Sequence, residues 1–158
     1  MSKDSAIDAS VGQDTWKRAV PLLAWGGRVL LSALFLWAAV GKIIDPQEFS
    51  TAIANYQLLP AAVVPPLAVG LPVFEVILSL TLLWPPLHRG SALLTGLMLW
   101  MFAGAMLQAQ MRGIDLDCGC FGTDTPVAVG ADTILRNLAL GSLALWIALR
   151  KGSQFPKP

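Results

Sequence analysis

The stretch AAVVPPLAVGLPVFEVILSLTLLW, residues 61–84, carries one charged side chain, Glu75, in an otherwise largely apolar run. An α-helix rises 1.5 Å per residue, so about 20 apolar residues cross the roughly 30 Å hydrocarbon core of a bilayer. Pro85 and Pro86 follow at once, and proline ends a helix because it lacks the backbone donor and clashes with the preceding turn. We therefore predict that residues 61–84 form a transmembrane helix.

Three further runs of similar length and composition predict that the chain crosses the membrane four times. They cover residues 19–40, 91–111 and 131–149. The chain of 158 residues is 55% hydrophobic and only 13% charged, whereas a soluble domain averages about 25% charged residues. Its formal net charge of +1 gives no electrostatic basis for binding nucleic acid. The predicted fold is an all-α polytopic membrane protein, a bundle of four transmembrane helices.

The charged residues divide the chain into a membrane domain, residues 19–150, and two polar tails, residues 1–18 and 151–158. Most lysines and arginines lie at the two ends of the chain and in the second loop, whereas the first and third loops contain only Lys42 and Arg112. Positively charged segments favour the cytoplasm, so both termini are predicted to be cytoplasmic. The chain is then expected in a bacterial inner membrane, with its third loop on the periplasmic side.

Both cysteines of the chain lie in that third loop, in DLDCGCFG, residues 115–122. Disulfides persist mainly outside the cytosol, which is where this loop is predicted to lie. A bridge between Cys118 and Cys120 would close a very small ring, so it would be strained and easily reduced, whereas structural disulfides stabilise mainly by closing long loops. Gly119 and Gly122 allow the tight backbone that this bridge needs. We predict a catalytic redox pair rather than a structural bridge.

Charged neighbours are expected to tune the two thiols. The carboxylate of Asp117 disfavours the reactive thiolate, and Lys42 and Arg136 are predicted to offset this effect. Two free thiols, an inert local bridge and a soft Cu(I) site stay open as alternatives. The one histidine, His88, is predicted to lie on the opposite side of the membrane, so we assign no metal.

Two charged residues lie well inside predicted spans, Arg28 in the first and Glu75 in the second. Intramembrane ionisable residues are rare and are usually paired or functional. Counted from the cytoplasmic ends of two antiparallel helices, both lie about 12–14 Å deep, so an Arg28–Glu75 ion pair is predicted. Such a pair would fix the helix packing, serve a proton path, or anchor the headgroup of a quinone.

One dithiol carries two electrons, and here it is predicted to lie on one side of the membrane. The predicted spans contain no cysteine, so thiol exchange within this chain does not pass electrons through the bilayer. The expected partner is therefore a periplasmic thioredoxin-fold protein, with a membrane quinone as an alternative cofactor. A non-catalytic docking platform stays open as well, and so does a homo- or hetero-oligomer.

Four stretches resemble the MauE family of methylamine utilisation proteins, within the wider DoxX-like group of four-helix membrane proteins. They are VGKIIDPQEFSTAIANYQLLP at 40–60, LPVFEVILSL at 71–80, RGIDLDCGCFG at 112–122 and ILRNLALG at 134–141. The resemblance, which includes Phe121 of the Cys-Gly-Cys-Phe-Gly run, implies a redox-associated role at Cys118 and Cys120. It also implies a short helix between the first two spans.

MauE proteins are linked to maturation of the disulfide-rich small subunit of methylamine dehydrogenase, alongside a thioredoxin-like partner. The resemblance therefore implies a membrane thiol–disulfide protein that supports maturation of a periplasmic client. Two other functions stay open: a non-catalytic assembly or stabilising subunit, and a subunit of a quinone-coupled oxidoreductase. Whether the chain is itself an enzyme also stays open.

Overall fold

The computed structural model describes residues 3–113 and 131–150, with side chains from Val20 onward. All regular structure in these ranges is α-helical, and the helices are α1 (Lys3–Ile44), α2 (Pro46–Asn55), α3 (Val64–Leu83), α4 (His88–Met111) and α5 (Ala131–Leu149). Residues 20–44 of α1 and the whole of α3, α4 and α5 are each long and apolar enough to cross a membrane. The predicted all-α fold with four transmembrane helices is confirmed, and the chain is an integral membrane protein.

Each of the four long helices runs antiparallel to the next long helix along the chain, and together they form a bundle. α3 ends at Leu83, just before Pro85 and Pro86, which confirms that these prolines terminate the second span. α1 contacts α3 and α5, and α4 also contacts α3 and α5, so the four helices form a ring. Each long helix contributes one of the largest fully buried apolar side chains, which are Leu31, Leu82, Met106 and Ile147.

The predicted short helix between the first two spans is confirmed as α2. The side chain of Asp45 accepts a hydrogen bond from the backbone N–H of Glu48 at 2.9 Å, and Pro46 occupies the start of the helix, where its missing donor costs little. Phe49 is buried, and α2 contacts both α1 and α3. We call this end of the bundle, where α1 and α4 end and α3 and α5 begin, the α2 end.

The loop of residues 114–130 joins α4 to α5 and contains Cys118 and Cys120. It lies outside the described residues, as does the predicted C-terminal tail, residues 151–158. Because α4 ends and α5 begins at the α2 end, the covalent chain attaches this loop to that end of the bundle.

α4 and α5 approach each other closely at Gly96 and Gly141. A Cβ atom built on Gly96 would lie 3.0 Å from the carbonyl oxygen of Gly141 and 2.8 Å from Cγ of Leu145. A backbone oxygen does not move aside, so glycine is the residue that fits this contact. Lipid tails are as apolar as leucine, so transmembrane helices associate through close packing of this kind rather than through hydrophobic burial.

We expect Gly96→Ala to lower the free energy of unfolding by about 1–3 kcal/mol, because the added methyl group overpacks the α4–α5 contact. Gly104→Ala is the matched control, since Gly104 lies on the same helix and a Cβ there meets nothing within 4 Å. Denaturation with sodium dodecyl sulfate in mixed micelles measures both variants. Equal stabilities of Gly96→Ala and Gly104→Ala would contradict the close contact.

Candidate functional site

A buried ion pair joins α1 to α3. Nζ of Lys42 lies 2.5 Å from Oε1 of Glu75, and the two side chains are 3% and 2% exposed. Lys42 lies in the last turn of α1, whereas Glu75 lies in the middle of α3. Taking a charge out of water costs several kcal/mol per ion, and the attraction between the partners offsets this cost only when both are held in contact. The pair therefore constrains how α1 packs on α3.

Aromatic rings enclose the ammonium group of Lys42. Its Nζ lies 5.1 Å from the ring centroid of Phe49 in α2 and 5.7 Å from that of Phe102 in α4. A cation within about 6 Å of a ring face is attracted by the quadrupole of the ring. Lys42 of α1 thus makes contacts with side chains of α2, α3 and α4.

A small cavity lies beside the carboxylate of Glu75. Lys42, Phe35 and Asn137 also line this cavity, whose volume is about 30 Å³. That volume holds about one water molecule. Among the described residues, Oε2 of Glu75 has no hydrogen-bond partner, whereas the amide of Asn137 donates to the carbonyl oxygen of Thr133 at 2.9 Å. The carboxylate therefore has one oxygen held by Lys42 and one available to a small polar partner.

A larger cleft, which Lys42 also lines, lies between α2, α3, α4 and residues 56–63. Its volume is about 380 Å³, which is within the range of small-molecule binding pockets. Among the described side chains that line it, Lys42 and Tyr56 are the polar ones, and the remainder are aliphatic or aromatic. Burial raises the pKa of the Tyr56 phenol above its usual value of 10.0, so the phenol stays neutral at physiological pH. We call this space the α2 cleft.

Arg28 lies towards the opposite end of the bundle. Its Nε donates to the carbonyl oxygen of Leu82 at 2.9 Å, and its Nη2 donates to that of Leu83 at 3.3 Å. The last four carbonyls of an α-helix lack partners within the helix, and the helix dipole favours a positive charge near them. Arg28 therefore caps the C-terminus of α3. The prediction that Arg28 pairs with Glu75 is wrong, because Glu75 forms its ion pair with Lys42.

The helix boundary explains this difference. The predicted first span ended at residue 40, which placed Lys42 in the loop, but α1 continues to Ile44, so Lys42 is helical and buried and becomes the partner of Glu75. Arg28 is level with Leu82, which follows Glu75 by seven residues, or about 10 Å along the helix. The predicted role of Lys42 in tuning the thiols stays a prediction.

Two arginines lie where the chain enters and leaves the Cys-Gly-Cys loop. Arg112, just after α4, donates from Nη1 to the carbonyl oxygen of Tyr56 at 3.4 Å and from Nη2 to Oε1 of Gln57 at 3.3 Å. This contact ties the start of the loop to a residue that lines the α2 cleft. Arg136 lies on the exposed surface of α5, near the beginning of that helix.

The predicted redox residues themselves lie outside the described residues. They are Asp117, Cys118, Gly119, Cys120, Phe121 and Gly122. Their roles stay predictions, and the alternative Cu(I) site is likewise untested. The structure supplies the attachment points of the loop, Gly113 and Ala131, at the α2 end.

The α2 cleft has no counterpart among the sequence predictions. It forms because α2 and the segment after it fold back onto α3 and α4, and a contact between distant segments leaves no pattern within one of them. One local signal was present in Phe49, Ile53 and Tyr56, which are spaced as one face of a helix. All three residues line the cleft.

The chain is similar to proteins of one family along most of its length. The family model described as methylamine utilisation protein MauE matches residues 20–150. A methylamine utilization protein MauE from Paracoccus denitrificans is 35% identical over 129 residues, which cover 81% of this chain and 69% of the relative. The protein of that name from Methylophilus methylotrophus is 32% identical over 130 residues, covering 81% and 68%. No solved structure matches the chain.

Lys42→Met and Glu75→Leu are each expected to lower the free energy of unfolding by about 3–5 kcal/mol, because each leaves an unpaired buried charge. The variant with both substitutions is expected to be closer to wild type, since apolar side chains of similar volume often replace a buried ion pair without loss. Unfolding in mixed micelles gives the double-mutant cycle. Additive losses in the double variant would show that the two side chains do not interact.

Proposed function

The chain belongs to the MauE family of methylamine utilisation proteins, and on that basis we propose that it is a membrane accessory protein of methylamine utilisation that acts by thiol–disulfide exchange. The family match carries this proposal because it covers residues 20–150 and so includes the Cys-Gly-Cys pair. Since the chain has two cysteines in all, each is the only partner within the chain for the other.

Cys118 and Cys120 form a couple that alternates between dithiol and disulfide. The thiolate of one cysteine attacks a disulfide of the partner protein, which forms a mixed disulfide and releases one partner thiol. The second cysteine then attacks the mixed disulfide and releases the other partner thiol. Two electrons and two protons thereby pass from this chain to the partner, and the reverse sequence oxidises the partner.

The partner that fits this chemistry is an extracytoplasmic protein of the thioredoxin fold. We assign the α2 end to the periplasmic side of a bacterial inner membrane, because Arg89 and Arg150 lie at the other end of the bundle, as cytoplasmic basic residues do. Cys118 follows Gly113 by five residues, so the chain carries it at most about 18 Å from that residue. The pair is then accessible to a periplasmic protein.

Maturation of a periplasmic client is the process that this exchange would serve. The relatives are named for methylamine utilisation, and a disulfide-rich client of the methylamine dehydrogenase type needs its cysteines paired correctly. A thioredoxin-fold partner would pass electrons between the client and the Cys-Gly-Cys pair. The membrane domain would hold that pair at the surface where the client matures.

A non-catalytic assembly subunit is the competing function, and the Lys42–Glu75 pair is the observation that favours it. The pair joins α1 to α3 and stabilises the bundle without any thiol. The two functions differ in the residues that they require. The redox function needs both cysteines, whereas the assembly function needs only the intact bundle.

After mild reduction and removal of the reductant, we expect a membrane-impermeant maleimide to modify Cys118 and Cys120 in intact spheroplasts, because the α2 end is assigned to the periplasm and the reagent reacts with thiols but not with a disulfide. The control is Leu87→Cys in a background without the native cysteines, since Leu87 lies between α3 and α4 at the other end and is 52% exposed. This control should react only after lysis. Labelling of Leu87→Cys alone in intact spheroplasts would reverse the orientation.

We also expect Cys120→Ser to accumulate a mixed disulfide with a periplasmic thioredoxin-fold protein, because the remaining thiol at Cys118 attacks and no second thiol resolves the adduct. Non-reducing electrophoresis with mass spectrometry identifies the adduct, and the protein with both cysteines changed to serine is the control. If neither Cys120→Ser nor Cys118→Ser forms an adduct and the double variant still supports client maturation, the assembly function is the correct one.

A further inference from the structure

We propose that the α2 cleft binds the headgroup of an isoprenoid quinone, with Lys42 donating a hydrogen bond to a carbonyl oxygen of the ring. Binding at this site goes beyond the proposed exchange with a thioredoxin-fold partner, because it requires neither cysteine.

Lys42 has more N–H donors than its contact with Glu75 uses. An ammonium group has three N–H donors, and Glu75 is the one hydrogen-bond acceptor that Lys42 meets among the described residues. Lys42 also lines the α2 cleft, although its side chain is only 3% exposed. A hydrogen bond made away from water is electrostatically stronger than one in water, so an acceptor that enters the cleft is favoured at this point.

Charge and shape favour a neutral, planar ligand. Lys42 and Glu75 neutralise each other, so the floor of the cleft carries no net charge to attract the phosphate of a lipid headgroup. An alkyl chain fits the apolar walls but offers no acceptor to Lys42. The rings of Phe49, Tyr56 and Phe102 line the cleft, and aromatic side chains pack well on planar rings. A quinone combines a neutral planar ring with carbonyl acceptors.

The rim of the cleft is continuous with the surface that contacts lipid. Met101 and Leu59 line the cleft, and they are 59% and 42% exposed on the outer surface of the bundle. The long isoprenoid tail of a quinone would therefore extend from the cleft into the bilayer. Its ring would lie beside Lys42 at the inner end.

The cleft also lies next to the start of the Cys-Gly-Cys loop, since Arg112 donates to the carbonyl oxygen of Tyr56 at 3.4 Å. One further step rests on the proposed function. The dithiol of Cys118 and Cys120 gives two electrons and two protons to the bound quinone, which leaves a disulfide and a quinol. The disulfide then takes two electrons and two protons from the dithiol of the thioredoxin-fold partner, which becomes oxidised.

Binding is tested on the purified full chain in detergent, with both cysteines changed to serine so that no thiol chemistry contributes. The probe is decylubiquinone, and n-decylbenzene is the control ligand because it has the alkyl chain and a ring but no carbonyl. Isothermal titration calorimetry should show saturable binding of decylubiquinone, with n-decylbenzene weaker by about tenfold or more. Equal binding of the two ligands would mean that the cleft takes alkyl chains, and the proposal would be overturned.

The site is tested by filling the cleft. Ala105→Phe, and independently Ala52→Phe on α2, place a ring in the cleft and should weaken decylubiquinone binding by about tenfold or more through steric exclusion. Gly104→Phe is the matched control, because a Cβ on Gly104 meets nothing within 4 Å, and it should bind as the parent protein does. Unchanged binding in both cleft variants, or an equal loss in Gly104→Phe, would refute the site.

The electron transfer step has a separate readout. The protein with native cysteines, reduced and freed of reductant under anaerobic conditions, should form one disulfide for each decylubiquinol produced. Quinone binding without disulfide formation would refute the transfer step and leave the binding site intact. Conversely, a trapped adduct with a thioredoxin-fold protein in the absence of quinone binding would support the proposed function and refute this inference.

Discussion

The buried contact between Lys42 and Glu75 is the interaction on which the arrangement of the α2 end depends. Neither charge is stable alone in an apolar bundle, because the desolvation cost of a single ion is several kcal/mol, so each side chain requires the other. The contact, with Nζ of Lys42 2.5 Å from Oε1 of Glu75, joins α1 to α3, and the same ammonium group lies near the rings of Phe49 and Phe102. One ion pair thereby positions four helices around the α2 cleft.

The rest of the bundle is held by contacts of a different kind. At the opposite end, Arg28 satisfies the last carbonyls of α3, which a helix cannot pair within itself. Between α4 and α5, the close approach at Gly96 and Gly141 brings two backbones together. These contacts stabilise the bundle away from the α2 end, whereas the cavity beside Glu75 and the α2 cleft both include Lys42, which lies near the α2 end of α1.

The proposed redox function uses the features at the α2 end of the bundle. The loop with the Cys-Gly-Cys pair is attached at the α2 end, and Arg112, which precedes that loop, donates to the carbonyl oxygen of Tyr56 at the wall of the cleft. The described part of the chain thus brings a buried ion pair and the α2 cleft to the end at which the loop with the proposed thiol couple is attached. The chain belongs to the MauE family of methylamine utilisation proteins. A redox protein that exchanges electrons with both a soluble partner and a quinone would need a thiol couple and a site for the quinone at the same end of the bundle.

The sequence by itself determined the four spans, the short helix after Asp45 and the family, because span length, proline breaks and motif residues are local properties of the chain. It also indicated that Glu75 needs a partner, since a lone carboxylate in a span is costly. Only the tertiary structure decided that the partner is Lys42, because that choice depends on where α1 ends and how it crosses α3. The α2 cleft was likewise decided by the tertiary structure: the sequence marked only the wall formed by Phe49, Ile53 and Tyr56, and the other walls come from helices that meet only when the chain is folded.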